Sequence, residues 1–101
     1  MKIRRISGYS PQTATKYADT DGKFIVLTTE PEESVVWKDN QPTDEVNGYK
    51  YWFIQVDGQE PFKVKFKKKL QGISFLDQVS LNQLEACEAQ RNVYFKAAGI
   101  K

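Results

Sequence analysis

The chain has 101 residues, 40% of them hydrophobic and 28% charged, a composition that suits one folded, soluble domain over residues 1–101 and is too apolar for a disordered segment. There is no histidine, and the single cysteine, Cys87, excludes an intramolecular disulfide or a multi-cysteine zinc site. The formal net charge is only +2, so any basic surface has to come from the distribution of charge and not its total.

Residues 2–9, KIRRISGY, read as a first strand ended by the Ser10-Pro11 turn signal. The N-terminus is basic but has no apolar run behind it, and no stretch approaches the roughly 18 apolar residues of a membrane span, so the expectation is a cytoplasmic protein with no membrane contact. Residues 10–22 are polar and read as a loop closing at Asp21-Gly22. KFIVLTT, residues 23–29, makes a second strand, EPEE a turn, and SVVWK, residues 34–38, a short third strand. KDNQPTDEVNG, residues 38–48, reads as another long polar loop with an Asn-Gly turn.

The strongest pattern is YKYWFIQVDGQEPFKVKFKKKL, two runs of strand formers around Asp57-Gly58, a dipeptide favoured in type I′ hairpin turns. Placing that pair at the turn sets Phe53 opposite Phe62, Tyr51 opposite Val64 and Tyr49 opposite Phe66, one apolar face fit for a core. The other face then carries Lys50, Trp52, Ile54 and Val56 beside Lys63, Lys65 and Lys67, with Trp52 opposite Lys63. Lys68 and Lys69 break the alternation and mark the strand's end. Residues 78–91 fit either a helix, with Ser80 and Gln83 as a capping box, or a strand with a bulge near Asn82 and Gln83 and a turn at 90–92 into VYFKAAGI. The thin apolar helical stripe favours the strand.

The expected fold is mainly β, a small antiparallel OB-like barrel with little or no helix; the alternative is α+β with one helix near 79–90. Charge is uneven along it. Between Asp19 and Glu45 lie eight of the thirteen acids against two lysines, and between Val46 and Leu70 six lysines against two acids.

Single strands are bound by lysines that follow the phosphates and aromatic planes that stack the bases, and Lys50, Trp52, Lys63, Lys65, Lys67, Lys68 and Lys69 supply both. The competing account is that these lysines guard an edge strand while Trp52 covers a second small core. Tyr94 and Lys96 share a strand face and could extend the surface, although tyrosine at such a position is more often core. With no histidine and no GxSxG, SxxK, GxxxxGK[ST] or GxGxxG pattern, neither enzymatic activity nor a metal or cofactor is expected.

WFIQVDGQEPFKVKFKKK and the terminal NVYFKAAGI resemble the hairpin and closing strand of small OB-fold single-stranded-DNA-binding proteins of phages, plasmids and integrating elements. The resemblance covers the C-terminal half. It implies sequence-independent protection of single strands during replication or transfer, with DNA as the partner and RNA as its alternative, and with Trp52 and the hairpin lysines in the stacking and phosphate roles. A homo-oligomer is compatible with it. The other class of function is a protein-interaction module that modulates a host or replication protein.

Overall fold

In the computed structural model, which describes residues 8–58 and 60–101, the chain is mainly β with one short helix. The predicted first strand lies outside the described residues except for Gly8 and Tyr9. Ser10-Pro11 starts a helix where a turn was expected. The Ser10 hydroxyl accepts the Thr13 N–H at 3.1 Å, and Pro11 supplies a preset first position, giving α1 (Pro11–Thr15).

The strands are β1 (Phe24–Val26), β2 (Glu32–Lys38), β3 (Gln41–Gln55), β4 (Phe62–Phe66), β5 (Gln78–Val79), β6 (Leu81–Asn82), β7 (Glu85–Ala89), β8 (Asn92–Lys96) and β9 (Gly99–Ile100). Seven form one sheet in the order β5-β1-β3-β4-β8-β7, with β2 also on β3, while β6 and β9 pair separately. The sheet does not close into the expected barrel, since β5 and β7 end it and do not pair with each other. Nor is it wholly antiparallel, because β4 and β8 run parallel, with Val64 opposite Phe95 and Lys65 opposite Lys96.

The β3–β4 register is the one read from the sequence, from Tyr49↔Phe66 through Trp52↔Lys63 to Phe53↔Phe62. Its turn differs. The Gly58 N–H bonds to the Gln55 carbonyl at 2.7 Å with Asp57 at φ 68°, so the bend centres on Val56-Asp57 and not on Asp57-Gly58.

Residues 38–48 are no loop. Asp39 and Asn40 both take positive φ and form a two-residue turn between Lys38 and Gln41, from which β3 runs for 15 residues. Asn47-Gly48, read as a turn, instead lies at an irregularity of the β2–β3 ladder, between the Ser34↔Gly48 and Val35↔Val46 pairs. β4 meets β3 only from Tyr49 onward, so β2 and the first half of β3 continue past the sheet as a two-stranded ribbon.

The helix alternative for 79–90 is overturned. Gln83 at φ 54° separates β6 from β7, and Gln90-Arg91, both at positive φ, form the two-residue turn of the β7–β8 hairpin. Leu81, Leu84 and Ala86 enter the core from this segment. There they join Phe24, Val26, Tyr51, Phe53, Val64, Phe66 and Phe95, all on one side of the sheet. Tyr51 remains satisfied when buried because its hydroxyl accepts the Leu70 N–H at 2.9 Å.

Candidate functional site

With one face of the hairpin committed to the core, the alternation of β3, β4 and β8 turns their remaining side chains to the other face. Across it the register aligns Glu32, Lys50, Lys65, Lys96 and Glu85 on five adjacent strands. Three lysines therefore stand abreast with acids only at the two ends. β4 lies between β3 and β8, so Lys63 and Lys65 do not guard an edge, and that account of FKVKFKKK fails.

The lysines are not equivalent. Lys63 is engaged, 2.9 Å from a Glu32 oxygen and 5.2 Å above the Trp52 ring, and the hydrogen bond it donates holds the Glu32 carboxyl below the usual carboxylate range. Lys96 lies 3.6 Å from Glu85 and 4.7 Å from the Tyr9 ring. Lys50 and Lys65 have no ion-pair partner among the described residues. Burial first, then the charges of Lys50 and Lys96, lowers the Lys65 pKa from the ordinary lysine value. The Lys65 stem lies over Gly48, where a Cβ would fall 2.5 Å from its Cε and 3.0 Å from the Phe66 carbonyl oxygen, so glycine is needed there for close approach.

Aromatic planes border these charges. Trp52 is 37% exposed and Tyr94 43%, so neither is the core residue that one reading of each expected. Tyr9 sits beside them because Ser10 bridges Ala86 of β7, through bonds of 2.9 and 3.1 Å. Its phenol is pushed up to about 12 by burial, with Cys87 and Tyr94 adding to the shift, and stays neutral at physiological pH. Two shallow depressions meet at Tyr9 and Lys65. One, of about 540 Å³, is bordered by Lys50, Trp52, Lys63 and Tyr94, and the other, of about 430 Å³, by Lys67, Lys96 and Glu85.

Of the seven residues expected to bind, Lys50, Trp52, Lys63 and Lys65 share this face and Lys67 reaches its rim. Lys69 does not join them. Its ammonium lies 5.6 Å from the ring of Tyr49, on the core side of the hairpin. Lys68 is exposed and pairs with nothing described. Arg4 and Arg5, with Lys2, lie outside the described residues. Lys96 and Tyr94 were legible as a shared strand face, whereas Tyr9 reaches the site through the Ser10 bridge, for which local pattern carries no signal.

Among the described residues no group of histidine, cysteine, aspartate or glutamate side chains could hold a metal, and no helix is long and apolar enough to cross a membrane. No protein-family model, curated protein or solved structure matches this chain.

Proposed function

We propose that this chain is a non-catalytic module that binds single-stranded DNA without sequence preference, on the face formed by β3, β4 and β8. The observation that carries the reading is the row Lys50, Lys65 and Lys96 on three adjacent strands. Like charges placed opposite one another across a sheet are unfavourable, and a bound chain of phosphates turns that repulsion into attraction. Trp52, Tyr94 and Tyr9 beside the row offer stacking planes, and the shallow, open depressions suit a flexible strand better than an enclosed small ligand.

The path β1-β3-β4-β8-β7, in which the last two strands enter out of sequence beside β4, is compatible with a partly open barrel of the OB class, whose central strands are the usual binding face. The resemblance adds the setting, protection of single strands during replication or transfer of a mobile element in the cytoplasm, with RNA as the alternative ligand.

The test is a fluorescence titration with oligo-dT at several salt concentrations, carried out in a Trp37→Phe background so that Trp52 reports alone. Quenching is expected, with log K falling against log salt at a slope of about −2 to −3, for three or four phosphate contacts at about 0.7 each. Trp52→Ala, followed by oligonucleotide anisotropy, is expected to lose about 1–3 kcal/mol, the worth of one stacked base. A flat titration at low salt sinks this reading and leaves the protein-interaction module in its place.

A further inference from the structure

The ribbon of β2 and β3 carries the opposite charge to the lysine face. Past the Glu32–Lys63 pair it holds Glu33, Asp39, Asp44 and Glu45 against Lys38 alone, a net of −3. Trp37, near its tip, is 64% exposed. On the face, Lys50, Lys65 and Lys67 lack ion-pair partners among the described residues, a net of +3. The ribbon cannot neutralise them within its own chain. The ladder from Glu32↔Lys50 to Lys38↔Gln41 carries the tip away beyond the last β3–β4 pair, Tyr49↔Phe66.

We propose that the lysine face of one molecule takes the acidic ribbon of a second copy, so that the free protein self-associates through the surface assigned above to single strands. The two patches are opposite in sign and equal in number of charges. Trp37 brings an indole to a surface that already carries the partly exposed rings of Trp52 and Tyr94, and aromatic pairs add to the area they bury. The contact joins two different surfaces, ribbon to face, so it propagates into short chains or closes a ring. Single strands and a neighbour's ribbon then compete for the same lysines. The proposal shares the face with the reading above but not its ligand.

Sedimentation velocity of the full chain without nucleic acid tests it. The mass is expected to rise with protein concentration at low salt and to fall to that of the monomer at high salt. Asp44→Lys with Glu45→Lys on the ribbon, and separately Lys65→Glu with Lys67→Glu on the face, are each expected to weaken association at least about tenfold. A one-to-one mixture of the two doubles is expected to associate again, because reversed ribbon then meets reversed face. Circular dichroism checks that each variant folds, and the exposed Lys67→Glu alone replaces the face double if that one does not.

A monomer at low salt overturns the proposal, as does association that neither variant disturbs, or folded variants that fail to rejoin on mixing. Self-association without oligo-dT binding would leave this proposal standing and reject the single-strand reading, while oligo-dT binding by a strictly monomeric protein would do the reverse.

Discussion

The Lys65 ammonium stands between Lys50 and Lys96, its stem laid over Gly48 and its pKa lowered by burial and by those two charges. A lysine whose folded pKa lies below its unfolded one makes the unfolded chain the stronger proton binder between the two values. Stability therefore rises with pH across that alkaline window. A polyanion favours the charged form, so on the proposed function binding weakens as pH rises through the same window. Lys65→Met keeps the stem over Gly48 and removes the charge. It is expected to stabilise the free protein at neutral pH by about 0.2–1 kcal/mol per relieved like-charge pair, to flatten the alkaline rise in stability and to lower the salt slope of oligo-dT binding by about 0.7. Urea titrations at neutral and alkaline pH, with anisotropy alongside, measure all three effects, and a destabilised variant would mean that the lysine row is relieved by contacts outside those described.

Among the elements, the two-residue turns differ in how well the sequence suits the backbone: Asp39 and Asn40 tolerate the left-handed region, whereas Gln90 and Arg91 do not favour it. Gln90 and Arg91 join β7 to β8 with φ of 50° and 68°, and Asp39 and Asn40 join β2 to β3 with 52° and 62°, conformations usually supplied by Asn-Gly. Arg91→Gly is expected to relieve about 1 kcal/mol of left-handed strain, seen as a rise of roughly 4–8 °C in melting temperature. An unchanged melting temperature would show that Arg91 has a compensating contact.

The faces of β3 and β4 were legible because six apolar residues recur at every second position of the two runs. A shift of two residues would keep all six on one face, so the pairing itself was read from the Asp57-Gly58 turn signal. The β2–β3 ribbon was hidden because residues 38–48 contain a proline, an Asn-Gly and few strand formers. They are extended because the neighbouring strand supplies their hydrogen bonds, which no local pattern records. The charge row was hidden for a related reason, since Lys96 joins Lys65 only through the parallel β4–β8 pairing, 31 residues apart in sequence.

At the scale of the molecule, sheet and ribbon separate cleanly in their contributions to stability. The buried apolar residues all lie outside residues 32–48, and within that span only Gly48 is buried, beneath the Lys65 stem. Replacing residues 35–47 with Asn-Gly closes β2 to β3 at the Ser34↔Gly48 pair with a two-residue turn. The shortened chain is expected to keep its near-ultraviolet dichroism and to melt within about 4 °C of the full one, because less than about 1 kcal/mol of core packing is disturbed. The exchange removes Lys38, Asp39, Asp44 and Glu45, moving the formal net charge from +2 to +4. On the proposed function, affinity for oligo-dT at low salt is expected to rise, by up to about tenfold through the field alone. The difference should vanish near 1 M salt, where the screening length falls to about 3 Å. A shortened chain that fails to fold would make the ribbon part of the cooperative unit. One that folds but binds no more tightly at low salt would show that the ribbon's charge does not act on the lysine face.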